Sequence, residues 1–397
     1  MNMVSKMKHH TELGSRIATV HNGLALFTGD AGGGESEIRK HTIENDWLEC
    51  IIALPKNIFY NTGIPTYIWI VSNKKDPKRK GKVQLINTME LYEKLRKNLG
   101  QKNCEMKPVQ IDAITKLYMD FTESDISKIY PNEYFGYNKI TVERPLRLSA
   151  RFTPEATATL RFDKSLLEEM EWAYTNFGDK IYELLSQKSG KSNNPINPGS
   201  DIIGKIEAHL SKNEVKLKTA DKVKLLSADF WNSQLALMQA AQKIAAKLGN
   251  QQFDDYNTFV PLLTKAIKEL KLDIEAKGLK AITDAICWKN EDAEKVIKKA
   301  PSLKERAGGE VYEADSDLRD TENVPLDQDI HDYFNREVLQ HIPDAWIDES
   351  KTVKGYEISF TRYFYNYVPP RSIEEITAEI FELEKETEGI LNEIVND

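Results

Sequence analysis

Long apolar runs are missing from this 397-residue chain. The longest, CIIAL at 50–54 and YIWIV at 67–71, are far too short to cross a bilayer, so no membrane-spanning helix organises it. The opening MNMVSKMKHH has no apolar core and does not read as a signal peptide. Cysteine is scarce and odd in number. Cys50, Cys104 and Cys287 are scattered, which suits a reducing, cytoplasmic setting better than a disulfide framework. No Cys or His pair has metal-ligand spacing, so no metal site is expected, and His9-His10 reads as a charged helix end. Paired prolines occur once, at Pro369-Pro370, preceded by Tyr-Val. With 40% hydrophobic and 29% charged residues, the chain reads as soluble, globular and long enough for two or three domains.

Charge of one sign is unevenly supplied. Residues 310–397 hold 23 acidic against 7 basic residues, a net charge of −16, which leaves +8 for residues 1–309. A basic body with an acidic tail suggests one face for nucleic acid and one for a protein partner, although ordinary solvated surface has the same count. The densest basic run is KKDPKRKGK at 74–82, with Lys74, Lys75, Lys78, Arg79, Lys80 and Lys82. It reads either as a solubilising hairpin tip or as a set of DNA phosphate contacts.

The stretch 15–73 organises the rest. RIATVH at 16–21 is short, β-branched and mostly apolar, as a buried strand is. A Gly-rich turn at 29–34 leads into a charged segment, 35–46, that suits a helix. WLECIIAL at 47–54 and TYIWIVS at 66–72 are further strands. Strand, turn, helix, strand is a βαβ pattern with a right-handed crossover. The third strand follows a loop of about a dozen residues without a helix, which suits an antiparallel return. That loop, PKNIFYNTGIP at 55–65, leaves the carboxyl end of a strand, as HNG at 21–23 does. Ligands of open α/β sheets lie at such ends. The loop is either plain surface with Phe59 tucked into the core, or a place where an aromatic stacks on a flat ligand.

A fourth strand is expected at 83–87 and a helix at 89–99, closed by Gly100. TVERPLR at 141–147 is extended, as the residue before Pro145 requires. From 164 the pattern turns helical, with helices expected at 165–187, 202–212, 227–248, 256–272, 276–287 and 291–299. Residues 186–201, SQKSGKSNNPINPGSD, are the most linker-like. Trp172, Trp231 and Trp288 are most simply core residues. Residues 301–372 are irregular, acidic and aromatic, and FTRYFYNYVPP reads as a packed extended arm rather than a base-stacking surface. A last helix starts after Pro370, with Ser372 and Glu375 as a capping box. Its apolar positions Ile373, Ile376, Ile380, Leu383, Ile390 and Ile394, with Thr387 filling one place, keep a strict heptad. A narrow seam of this kind favours a partner helix over packing on its own domain.

The stretch HNGLALFTGDAGGGES…IENDWLECIIALPKNIFYNTGIPTYIWIVSNKK resembles the modification (M) subunit of type I restriction–modification systems. The likeness continues through FGYNKITVERPLR at 135–147, SDLRDTENVPL at 316–326 and GYEISFTRYFYNYVPPRSIEEI at 355–376. It departs at Leu24-Ala25, where the family more often has Ser-Pro. The resemblance implies a DNA adenine-N6 methyltransferase that uses S-adenosylmethionine. It also implies a fold of class α/β plus α, namely the C-terminal half of a Rossmann-like methyltransferase sheet, a mainly helical region and a coiled-coil-type docking helix. The corresponding divisions are 1–100 for the sheet remnant, 101–163 for a mixed connection, 164–305 for the helical region, 306–372 for an acidic arm and 373–397 for the docking helix. In methyltransferase folds the last strand inserts antiparallel between its two neighbours. The strands 16–21, 66–72 and 47–54 are therefore expected in that spatial order, with the first as a bare apolar edge.

The family's target-base loop maps onto Phe59, Tyr60, Asn61 and Gly63, with Phe59 the better stacking residue. Its partners are a specificity (S) subunit, a second M subunit, a restriction (R) subunit and double-stranded DNA, with no membrane. Two functional elements have no match: an Asn- or Asp-Pro-Pro-aromatic motif, and a Gly-rich donor loop after a first strand. GDAGGGES lacks the G-x-G-x-x-G spacing, and NPIN at 194–197 is not the Asn-Pro-Pro motif. No catalytic residue is therefore assigned. On this reading the donor-binding half precedes Met1 and the chain is a truncated or internally initiated product, inactive alone and not binding S-adenosylmethionine. The alternatives are a non-catalytic protein- or DNA-binding module derived from that subunit, or a fragment without an independent role.

Overall fold

The structure is a computed structural model that describes residues 1–186, 198–298, 311–365, 367 and 369–396. It is a mixed α/β protein that divides into two compact units. One is built from residues 1–141, 321–341 and 348–397, the other from 142–320 and 342–347.

The first unit is organised by a five-stranded sheet. After β1 (Arg16–Asn22) come a short helix α1 (Leu24–Phe27), α2 (Gly34–Glu44), β2 (Leu48–Ala53), β3 (Thr66–Ser72) and β4 (Lys82–Asn87). There follow a two-stranded hairpin, β5 (Glu93–Leu99) with β6 (Lys102–Glu105), then α3 (Pro108–Asp120) and β7 (Ser127–Pro131). The spatial order is β1-β3-β2-β4-β7. As expected, β3 lies between β1 and β2 and is antiparallel to both. β1 and β2 run the same way without touching, because the chain returning from β2 inserts between them.

Alternation along the strands gives the sheet two buried faces. Leu48, Ile51, Ala53, Tyr67, Trp69 and Val71 pack on the side of α2 with Ile43, Phe135 and Tyr356. Cys50, Ile52, Leu54 and Ile86 pack on the other, with Ile114 of α3. Every residue of β2 is buried, so its apolar run has no alternating polar positions. At about 1.5–3 kcal/mol per fully buried large aliphatic side chain, this strand is the strongest driver of the unit. Its one charge, Glu49, accepts bonds from Arg16 at 3.0 Å and from the Tyr118 hydroxyl at 2.7 Å. β1 is the outer strand, and Val20 is exposed there, as a bare edge requires.

Two helices expected from sequence are not helices. The segment 89–99, rich in good helix formers, contains β5. Gly100 is at φ +66°, but it closes a two-residue hairpin turn rather than a helix. Backbone bonds from Gln101 in the turn and Asn103 in β6 to the Tyr60 and Asn57 carbonyls outweigh the weak local propensity. The segment 291–299 turns at Asn290 and then runs extended through 298. Its backbone bonds go to Leu146, Asn257 and Glu313 instead of to itself. Residue 299 lies outside the described residues, as do residues 187–197 of the linker-like stretch and Pro301.

In the second unit, Leu167–Phe177 and Lys180–Ser186 replace one long expected helix, broken at Gly178 with φ +57°. Pro198–Lys212, Ala228–Leu248, Tyr256–Glu269 and Ala276–Ile286 match expectation closely. Trp231 is fully buried and donates its indole N–H to the Leu225 carbonyl at 2.8 Å. Trp288 is exposed on a short strand, Cys287–Lys289, and is no core residue.

The C-terminal helix, Ile373–Asn396, belongs to the first unit. The expected capping box is present: Ser372 Oγ accepts from Glu375 N–H, and Glu375 accepts from Ser372 N–H. Of the seam, Ile373, Ile380 and Leu383 are 80%, 54% and 58% exposed. The side chains of Ile390 and Ile394 lie outside the described residues. In the preceding FTRYFYNYVPP stretch, Phe360–Tyr363 is one helical turn against the core, while Tyr365 and Tyr367 are exposed.

Candidate functional site

The strand register decides what shares an end of the sheet. Ala53 of β2 pairs with Tyr67 of β3 and with Asn87 of β4, and His21 of β1 also pairs with Tyr67. The end of β1, the loop 55–65 and the exit of β4 therefore lie together, beyond the carboxyl ends of β1, β2 and β4. This is where open α/β sheets hold ligands.

The loop is held from within and from the β5–β6 hairpin. Asn57 adopts φ +59°, and Phe59 forms an isolated bridge with Thr62 that closes the tip. The Gln101 N–H donates to the Tyr60 carbonyl at 2.9 Å, and the Asn103 N–H to the Asn57 carbonyl at 3.1 Å. Asn57 Nδ2 donates back to the Gln101 carbonyl at 3.1 Å, and Lys102 Nζ to the Ile58 carbonyl at 3.2 Å. The buried Cys104 thiol donates to the Lys56 carbonyl. Ile58 packs into the core on the α3 side.

These restraints leave Phe59 38% and Tyr60 60% exposed, with Asn61 exposed beside them. The Lys102 ammonium lies 5.6 Å from the Tyr60 ring centroid, a cation–π contact that orients that ring. Gly63 sits close to the same brace, since a Cβ there would stand 3.0 Å from Asn57 Nδ2, which would have to give way slightly. Phe59, Tyr60, Asn61 and Gly63, the four positions expected to face a target base, thus fall on one braced loop that presents two aromatic faces.

The hairpin brace was missed in sequence, although the two-residue Gly100-Gln101 turn between polar segments is a hairpin signal. Gly100→Ala puts a Cβ 2.7 Å from the Tyr60 carbonyl oxygen at a left-handed φ. We expect it to loosen residues 57–62 at a cost of about 1–2 kcal/mol. Hydrogen exchange at Gln101 and Asn103 is the check. Unchanged protection there would show that the brace does not hold the loop.

The basic run 74–82 lies at the other end of the sheet, between Ser72 of β3 and the start of β4. A seven-residue strand puts it about 20 Å from the loop. Two of its cations are buried. Lys75 bonds Asp46 at 2.6 Å and the Lys82 carbonyl at 2.8 Å. Arg79 bonds Gln84 at 3.1 Å and the Tyr118 carbonyl, with its guanidinium over the Tyr118 and Phe121 rings. Burial pushes the Asp46 carboxyl up, but Lys75, the Gly81 N–H and the Asn132 amide together hold it below the usual range. Lys78 Nζ donates to the Met119 carbonyl at 2.6 Å. Lys75 and Arg79 are thus bonded inside the fold and present no cation to a ligand, while Lys74, Lys78, Lys80 and Lys82 are exposed.

The Gly-rich turn is filled by its own chain. The buried Arg39 guanidinium donates to the carbonyls of Ala25, Thr28 and Gly29 at 3.2, 2.8 and 3.4 Å, and to that of Tyr356 at 2.6 Å. A Cβ on Gly33 meets the Asp30 carbonyl oxygen at 2.8 Å. The Thr28 and Gly29 carbonyls at the start of this turn are thus taken up by Arg39, and the Asp30 carbonyl accepts from the Gly33 N–H at 2.7 Å.

Residues 2–138 match the N-6 DNA Methylase family. The MjaVII methylase subunit of a type I restriction enzyme from Methanocaldococcus jannaschii is 33% identical over 131 residues, 30% of this chain and 21% of the relative. The HindI methylase subunit from Haemophilus influenzae is 38% identical over 96 residues, 24% of this chain and 17% of the relative. The match with these curated relatives spans about a fifth of their length. Among solved structures, the type I restriction-modification system methyltransferase subunit from Streptococcus thermophilus aligns at 24% identity and a TM-score of 0.27, over 32% of this chain and 25% of that one. Residues 2–138, which include the sheet and its aromatic loop, are thus similar to the N-6 DNA Methylase family and, over part of their length, to methylase subunits of type I restriction enzymes.

Proposed function

We propose that this chain supplies the target-base side of a DNA adenine-N6 methyltransferase of the type I modification kind. The observation that carries this is the braced loop with exposed Phe59 and Tyr60, at the ligand end of the sheet and inside the methylase segment. An adenine swung out of the duplex exposes two flat faces, and an aromatic ring stacks on either one. The sheet is read as the C-terminal half of a Rossmann-like methyltransferase sheet, and the C-terminal helix as a coiled-coil-type docking element. The five divisions given above are kept as its domain plan. The proposed partners are a specificity subunit, a second modification subunit, a restriction subunit and double-stranded DNA, with Lys74, Lys78, Lys80 and Lys82 as outlying phosphate contacts.

Methyl transfer in this family uses a Gly-rich donor loop after a first strand and an Asn-Pro-Pro-aromatic motif, and the sequence carries a match to neither. The rate depends on holding the sulfonium methyl and the adenine nitrogen in near-attack geometry. The purified chain is therefore expected to bind DNA weakly and to leave it unmethylated. Titration with S-adenosylmethionine in a calorimeter should give no heat of binding, and stoichiometric uptake would overturn this part of the proposal. On duplex carrying one extrahelical adenine, Phe59→Ala should remove about 1–3 kcal/mol of affinity, the usual worth of one stacked base. An unchanged affinity would remove Phe59 from the base site. A second reading, a non-catalytic DNA- or protein-binding module, is favoured by the turn that Arg39 fills.

A further inference from the structure

We propose that the β5–β6 hairpin is a DNA-binding ribbon that grips the phosphates flanking the target base. The inference rests on the reading of loop 55–65 as the base site, and it assigns a role to residues outside that loop. The first observation is position. Of the two basic segments in the first unit, 74–82 lies at the far end of the sheet, whereas the hairpin is laced by five hydrogen bonds to the segment 56–60. Whatever holds Phe59 in place also holds the hairpin.

The second observation is charge. Between Glu93 and Lys107 there are five basic and two acidic residues. Lys107 is paired with Glu105, and Lys102 is turned to the loop. The side chains of Lys94, Arg96 and Lys97 remain exposed on β5, with no ion-pair or hydrogen-bond partner among the described residues. In the run 74–82, by contrast, Lys75 and Arg79 are buried in bonds.

The third is construction. A two-stranded ribbon standing outside the main sheet is marginal in water on its own, and here most of its side chains are exposed. Such a ribbon has the dimensions to lie along a groove, with its cations on the two backbones. Its tip carries the exposed Asn98 and Leu99 ahead of the Gly100 turn.

Phosphate contacts are sequence-independent, so the ribbon would set affinity and register while the loop takes the base. The test uses the full chain, a fluorescein-labelled duplex and the same duplex with one extrahelical adenine, each titrated across a range of salt. The triple variant Lys94→Glu, Arg96→Glu, Lys97→Glu should bind both duplexes on the order of a hundredfold more weakly. Its slope of log affinity against log salt should be shallower by about 2–3, the loss of three phosphate contacts. The exchange of types, Lys94→Arg, Arg96→Lys, Lys97→Arg, should restore both. A Gln triple at the same positions, of unchanged circular dichroism, separates lost charge from lost fold.

An unchanged salt slope in a folded triple variant would overturn the ribbon while leaving the base reading intact. The opposite pattern, a lost slope but no effect of Phe59→Ala on the extrahelical adenine, would keep the ribbon as a DNA surface and remove the base reading. No binding by the unmodified chain would overturn both.

Discussion

Arg39→Ala is expected to destabilise the first unit by about 3–5 kcal/mol, the largest stability effect of any single substitution proposed for this chain. Arg39 is buried to 1% exposure and bonds no carboxylate among the described residues. Burial lowers its affinity for a proton, and the nearby Tyr137, Glu357 and Glu35 only partly restore it. Its charge is held by the carbonyls of Ala25, Thr28, Gly29 and Tyr356. Those four carbonyls come from α1, the turn after it and a strand over 300 residues away, so one guanidinium ties three separate pieces onto α2.

Truncation leaves carbonyls without donors in a dry site, and an unsatisfied buried polar group costs about 1–3 kcal/mol. It also opens a cavity beneath the Gly-rich turn. Arg39→Lys should recover only part, because one ammonium does not reproduce the planar fork of donors. The readout is native-state hydrogen exchange in β2 and β3, which report this unit alone. A loss of 4 kcal/mol corresponds to roughly a thousandfold faster global exchange. Exchange within threefold of the unmodified chain would mean that water replaces the guanidinium at no cost.

Arg39 also shows what pattern can and cannot reveal. The strands were legible because they depend on local, repeated features: continuous apolar runs, turn residues, and the length of the loop between 54 and 66; their spatial order was implied by the resemblance to methyltransferase folds. The partners of Arg39 and of Asn57 depend on chain segments far away, and no spacing encodes them. The hairpin is the instructive case. MELYEKLRKNL carries good helix formers with Leu91, Leu95 and Leu99 four apart, and in isolation that favours a helix. The backbone of the turn and of β6, at Gln101 and Asn103, instead bonds the Tyr60 and Asn57 carbonyls, and β5 pairs with β6. The same mistake hid the surface that now carries the unpaired cations, and the conspicuous basic run 74–82 drew attention in its place. Density of charge in sequence does not tell which cations are buried. Lys75 and Arg79 are neighbours of exposed lysines but are bonded inside the fold.

Replacing Ile380 and Leu383 together with Asp is expected to abolish co-purification with the proposed specificity subunit while leaving the body folded. The seam residues Ile373, Ile376, Ile380 and Leu383 keep steps of 3, 4 and 3, and the helix start is secured by its own capping box. The helix therefore needs no tertiary contact to define where it begins. Among the described residues its apolar stripe is exposed, Ile373, Ile380 and Leu383 by more than half and Ile376 by 38%. Its remaining faces carry Glu374, Glu375, Glu379, Glu382, Glu384 and Glu386, which favour water or a basic partner and disfavour pairing with a second copy of itself. Burying each large seam residue against a partner is worth about 1.5–3 kcal/mol before the cost of association. Two carboxylates placed in that seam lose this and add desolvation of unpaired charge, together worth more than a thousandfold in affinity. Because these positions are exposed in the free chain, the substitutions should not lower its stability by more than about 0.5 kcal/mol. Undiminished co-purification of the folded double variant would show that the seam is not the docking surface, and a collapse of the body would show that the helix packs on its own unit after all.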